Sequence, residues 1–81
     1  MNFEALVEVR LRPGISDPQG ATIERALPAL GFDGVTNVRV GKSIRFHLEA
    51  PDKESAHRLT EAMTERLLAN PVIEEAEVRV L

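Results

Sequence analysis

The sequence predicts an α+β domain whose elements run strand, helix, strand, strand, helix, strand, forming a four-stranded antiparallel sheet with both helices on one face. Three observations lead there. Apolar residues recur at every second position in four separate stretches, as half-buried strands require. Two further stretches space their apolar residues by three and four, and each is opened by an aspartate next to a proline. The chain has 81 residues, which suffices for one domain spanning 1–81.

The first stretch sets Phe3, Ala5, Val7, Val9 and Leu11 against Glu4, Glu8, Arg10 and Arg12, with Leu6 the one exception. Pro13-Gly14 closes it with turn chemistry. Asp17-Pro18 then places a carboxylate at a helix N-cap and a proline at the first helical position, where its missing N–H is harmless. Ile23, Ala26, Leu27 and Leu30 give this helix its apolar stripe, and Gly31 suits a left-handed cap. Pro28 should clash with the carbonyl of Glu24, so the last turn is expected to kink or end early.

Val35 to Lys42 is expected as the second strand, with Val38 and Val40 opposite in facing to Asn37 and Arg39. Gly41-Lys42 fits a two-residue hairpin connection that begins with glycine. In the third strand Ile44, Phe46, Leu48 and Ala50 alternate with Ser43, Arg45, His47 and Glu49. Pro51-Asp52 opens a longer helix with the stripe Ala56, Leu59, Met63 and Leu67, ended by Asn70-Pro71 as left-handed cap and breaker. Ile73 to Leu81 forms the last strand, where Ala76, Val78 and Val80 alternate with Glu75, Glu77 and Arg79. Taken together this is the ferredoxin-like plan, whose usual strand order puts the first and third strands in the centre.

Composition narrows the function. The chain carries a formal charge of −3 and no cysteine, tryptophan or tyrosine. An acidic surface argues against binding nucleic-acid backbones, and three phenylalanines make no base-stacking platform. Disulfides and thiolate metal sites are ruled out. No stretch approaches the ~20 apolar residues of a membrane span, and the opening Met1-Asn2-Phe3-Glu4 has no leader pattern, so a soluble cytoplasmic protein is expected. A domain this small buries little of its surface and commonly gains stability by associating.

Helices on one face leave the other face of the sheet open. It would carry Glu4, Leu6, Glu8, Arg10 and Arg12, then Asn37, Arg39, Ser43, Arg45, His47, Glu49, Glu75, Glu77 and Arg79. Nearly balanced arginine and glutamate favour cross-strand ion pairs. That face is either solvated or a self-complementary dimer surface, and the edge of the last strand is a second route to self-association.

Reactive constellations are few. His47 is placed on the open face and His57 on a helix flank, with no third ligand at metal spacing. Ser16, Ser43 and Ser55 read as turn or helix-start residues, and Glu74-Glu75 would point to opposite sides of a strand. Asp17-Pro18-Gln19-Gly20 exposes backbone N–H groups that could take an anion, although ordinary capping accounts for them.

Three segments, in order, carry a resemblance: Asp17-Pro18-Gln19-Gly20, Val38-Arg39-Val40-Gly41-Lys42 and Leu67-Leu68-Ala69-Asn70-Pro71-Val72-Ile73-Glu74. With these the chain resembles the PurS family, small subunits of phosphoribosylformylglycinamidine synthase. The resemblance implies homodimers or tetramers that bridge a large synthetase subunit, PurL, and a glutaminase subunit, PurQ. The assembly turns formylglycinamide ribonucleotide into its amidine with ATP, Mg and glutamine. It also implies that the catalytic residues and cofactors belong to the other subunits, while this one supports assembly and ammonia transfer. Candidate partner contacts are Asp17, Gln19, Gly20, Arg39, Gly41, Lys42 and Asn70. Gly20 and Gly41 would serve close backbone approach, Arg39 and Lys42 contact to acidic groups, and Asn70 a cap.

The main alternative is an ACT-like regulatory module, which shares this topology and binds an amino acid near a glycine such as Gly14. An acylphosphatase would need a longer anion-cradling loop than Arg12 to Asp17. An RNA-binding domain would need exposed aromatics on its central strands.

Overall fold

The computed structural model describes residues 1–81. Its regular elements are β1 (Asn2–Leu11), α1 (Pro18–Ala26), β2 (Gly41–Glu49), α2 (Lys53–Met63) and β3 (Glu74–Val80). A 3₁₀ turn, Pro28–Leu30, follows α1, and a π-helical turn, Thr64–Leu68, continues α2. No helix is long and apolar enough to cross a membrane.

The sheet has three antiparallel strands in the order β2-β1-β3, which corrects the expected four-stranded ferredoxin-like sheet. The expected second strand, 35–42, is missing because its N–H groups are spent elsewhere. Val38 donates to Glu24 at 3.0 Å and Val40 to Asp17 at 2.8 Å, so neither joins a ladder. Upstream, Asn37 sits at φ 56°, a left-handed conformation that breaks an extended run.

The expected hairpin at Gly41-Lys42 is also absent. Gly41 instead opens β2, which pairs with β1 from Arg10↔Gly41 to Asn2↔Glu49. Side-chain parity explains this. Val38, Val40, Ile44, Phe46 and Leu48 keep one parity on either side of the exposed Lys42, whereas a two-residue turn would set apolar Val40 opposite polar Ser43. Gly41 is needed at this entry for space: a Cβ there would lie 2.7 Å from the Val9 carbonyl oxygen.

β1 is the strand around which the molecule is built. Ala5, Val7 and Val9 are buried, and the strand pairs with β3 from Ala5↔Val80 to Leu11↔Glu74. α2 lies over β1 and β3. Its buried row is Ala56, Thr60 and Thr64, not the expected Leu59, Met63 and Leu67, which are exposed. Small residues let the helix sit close to the sheet. The two hydroxyls are satisfied internally, Thr60 on the Ala56 carbonyl and Thr64 on the Thr60 carbonyl, both at 2.8 Å. Phe3 and Leu48 close this core against Ala50, Ala56 and Val80.

The second helix departs from expectation again: α1 packs against its own 3₁₀ turn, not as a second cover on the sheet. Pro28 ends the α-helix early, as its missing N–H and ring demand, and Gly31 takes the left-handed cap. Residues 12–40 therefore form an arm that leaves the sheet at the Arg10–Gly41 end. The molecule measures 52 × 26 × 15 Å.

On the open face, the expected ion pairs form. Arg10 meets Glu75 at 3.2 Å and Arg12 meets the same carboxylate at 3.9 Å. Glu8 and Glu77 stand directly opposite, and Arg79 bridges them at 3.4 and 3.6 Å. Exposed pairs of this kind contribute about 0.2–1 kcal/mol each.

Candidate functional site

Where the arm leaves the sheet, the chain folds back on itself twice, and six of the seven candidate residues meet there. Asp17 is the hub. As N-cap of α1 its carboxylate accepts the Gly20 N–H at 2.8 Å, and its other oxygen accepts the Val40 N–H at 2.8 Å. One side chain thus ends a helix and anchors the segment running to β2. These two backbone donors, first Gly20 and then Val40, hold the Asp17 pKa below its ordinary 3.8, with the nearby Arg39 charge assisting and desolvation opposing.

Arg39 works on the other side of the same turn. Its guanidinium donates to the carbonyls of Ile15 at 3.1 Å and Arg12 at 3.4 Å, and its Nε lies 3.9 Å from Asp17. Arg39, expected to meet an acidic partner, here braces its own chain. Gly20 is where α1 presses on this segment: a Cβ there would fall 2.2 Å from the Val38 carbonyl oxygen. Only a residue without a side chain fits.

Gln19, Lys42 and Gly41 line a cleft of about 340 Å³ together with Arg10, Ser16 and Asp17. Gln19 and Lys42 are exposed, with their polar ends open to an incoming surface. Asn70 lies at the next corner of the same sheet end. It is not a left-handed cap, since Ala69 terminates the π turn in extended conformation and donates its N–H to the Thr64 carbonyl. Its side chain accepts the Val72 N–H at 3.1 Å, while its own N–H donates to Glu74 at 2.7 Å. Arg12 ties the two corners by donating to the Pro71 carbonyl at 2.9 Å, and its N–H prolongs the β1–β3 ladder to Ile73.

Sequence reasoning missed Glu24, whose carboxylate receives the Val38 N–H, and Arg12. Glu24 is hidden in the sequence because the alternation of the segment it anchors suggests a strand. Arg12 ends the alternating run, where its pattern suggests only an open-face charge. The histidines stay apart: His47 faces Asn2 and Glu4, and His57 pairs with Glu61 along α2.

Chemically, the corner presents exposed polar ends on a braced backbone, a surface suited to docking another protein. Comparison with known proteins places it in context. The family model for PurS, phosphoribosylformylglycinamidine (FGAM) synthase, matches residues 4–81. The PurS subunit of Thermotoga maritima is 43% identical over 79 residues, covering 98% of this chain and 96% of its own. That of Synechocystis sp. is 44% identical over 73 residues, 90% of this chain and 73% of the relative. Among solved structures, a chain of the PurLQS structure from T. maritima superposes with a TM-score of 0.91 at 42% identity, covering 100% of this chain and 99% of that one. Methanocaldococcus jannaschii PurS gives a TM-score of 0.86 at 38% identity, with 98% and 95% covered.

Proposed function

This chain belongs to the PurS family, the small subunits of phosphoribosylformylglycinamidine synthase in purine biosynthesis, and we propose that it acts there as the non-catalytic bridge between the synthetase subunit PurL and the glutaminase subunit PurQ. The observation that carries this reading is the whole-length likeness to a chain of the T. maritima PurLQS structure. In that role the chain associates with itself as a dimer or tetramer, holds the two larger subunits in register, and supports passage of ammonia from one to the other. ATP, Mg and glutamine are used on those partners, in the cytoplasm.

The local geometry supports a docking role. Asp17, Arg39 and Asn70 spend their hydrogen-bonding capacity on backbone groups of their own chain, which fixes the shape of the sheet end. Gln19 and Lys42 then stand exposed on that fixed shape as the groups that meet the larger subunits.

The test is amidine formation by the cognate synthetase and glutaminase, with and without this chain, using first glutamine and then free ammonium as nitrogen donor. We expect the chain to be required with glutamine and nearly dispensable with ammonium. Equal rates with and without it on both donors would overturn the bridging role, and calorimetry against amino acids would then test an ACT-like module.

A further inference from the structure

A bridge between two unlike subunits needs two docking surfaces, and on the bridging reading Gln19 and Lys42 account for only one. A second lies across the end of β1, where α2 runs through its π turn towards β3. Leu67 is 83% and Val72 78% exposed, more than any other large apolar side chain of the protein. Single exposed apolar side chains are ordinary on a protein surface. These two stand at either end of one turn, and that turn cannot fold them away.

The turn is held from several sides. The Asn70 carbonyl accepts the N–H groups of Ile73 at 3.2 Å and Glu74 at 2.7 Å, and the Asn70 side chain accepts that of Val72. The Asn70 N–H donates in turn to the Glu74 carboxylate. Arg12 clamps the Pro71 carbonyl through Nε at 3.1 Å and Nη2 at 2.9 Å. Ala69 closes the π turn on the Thr64 carbonyl, and π turns of this kind occur frequently at functional sites. A shape fixed in advance loses little entropy on binding, so apolar side chains exposed on it make efficient anchors.

Beside the turn lies a cleft of about 500 Å³ lined by Glu61, Glu65, Glu74, Glu75, Arg12 and Pro71. Four carboxylates against one guanidinium is a surplus equal to the −3 of the whole chain, so the remaining side chains balance and the acidity is concentrated here. Arg12 is occupied by Glu75 and the Pro71 carbonyl. Glu65 forms no ion pair within the chain, and Glu61 meets only His57, at 3.2 Å. Four residues apart on one helix, these two carboxylates repel, and a cation from outside would relieve them. The carboxylates do not gather into a group that could hold a metal ion. The cation that fits is therefore a side chain, carried by a surface that also accommodates Leu67 and Val72.

We infer that the turn from Leu67 to Val72 and the cleft beside it form a second docking corner, which takes an apolar surface bearing lysine or arginine on one of the larger subunits. Leu67 and Val72 enter the apolar part, and the Glu61–Glu65 flank receives the cation. The corner is opposite in charge to the exposed Lys42, so each of the two docking surfaces disfavours the other's partner.

The chain has no cysteine, so Leu67→Cys carrying a benzophenone maleimide labels this corner alone. It is irradiated in a mixture with the cognate synthetase and glutaminase, glutamine, ATP and Mg. A crosslink to one larger subunit is expected, at an apolar site flanked by lysine or arginine. Crosslinks to other copies of this chain alone, or to nothing, would overturn the corner. Independently, Leu67→Asp should weaken entry into the complex by roughly tenfold or more in sedimentation. The double variant Glu61→Gln, Glu65→Gln should weaken it less and flatten its dependence on salt. Each variant should keep the circular dichroism and the self-associated mass of the wild type. Entry at wild-type affinity, or a loss of self-associated mass, would overturn the corner and leave the bridging role standing. A wild-type chain that joins neither larger subunit would overturn both.

Discussion

At the scale of single residues, Asp17 shows how a helix cap becomes a structural junction. Its depressed pKa means that the folded chain favours the carboxylate over the carboxylic acid. The stabilisation this gives is complete above the ordinary aspartate range and is lost as pH falls below 3.8 towards the lowered value in the folded chain. We expect Asp17→Asn, which can still cap α1 but loses an acceptor for the Val40 N–H, to melt roughly 5 °C below wild type at pH 7, and the gap to close as the solution is acidified. Thermal melts of both proteins from pH 7 to pH 3 check this, and parallel curves would deny Asp17 the role. The cap was legible in Asp17-Pro18 because local capping chemistry needs only neighbours in sequence. The bond to Val40 was not, because it depends on where a distant segment passes.

At the scale of elements, period and parity gave different returns. Strict alternation placed β1 and β3 to within a residue or two, since their side chains separate cleanly between core and solvent. In the middle of the chain the same rule held the answer and was overruled by turn composition. Val38, Val40, Ile44, Phe46 and Leu48 share one parity across the exposed Lys42, which fits a chain running straight into β2 at Gly41, whereas Gly41-Lys42 by composition suggests a hairpin. For α2 the apolar stripe pointed to the wrong face, because burial here rewards the smallest residues, Ala56, Thr60 and Thr64, that let helix and sheet approach. The arm's root carries the clearest prediction at this scale. Gly20→Ala must push against the Val38 carbonyl, so the segment should lift and the amides of Val38 and Val40 exchange with solvent faster. Hydrogen exchange at those two amides, unchanged in the variant, would refute the close approach.

At the scale of the whole molecule, the protomer is stretched. Its radius of gyration is 16.4 Å, where a compact chain of this length has ~12 Å. Only nine residues are buried, so much of the stability must come from association. Folding and association should therefore be coupled by mass action: each tenfold rise in protein concentration is expected to lift Tm by roughly 3–5 °C. Calorimetric scans across two decades of concentration check it, and a constant Tm would argue for a self-sufficient monomer. Little of this was visible in the sequence. Alternation and helical spacing report that a face is apolar without saying which chain covers it, and a four-stranded closed domain satisfies the same pattern as an open three-stranded one.

The position of β1 has a consequence for how the chain comes to be folded. Its ladder with β3 joins Ala5 to Val80 and Leu11 to Glu74, contacts that span most of the polypeptide, and its ladder with β2 crosses the entire arm. No two sheet neighbours are consecutive hairpin strands, so the zipper has no local end from which to close. High contact order of this sort makes for slow folding. The first strand to leave the ribosome waits for the last one to be made, and through that interval its buried row of Ala5, Val7 and Val9 stays open to the wrong partner.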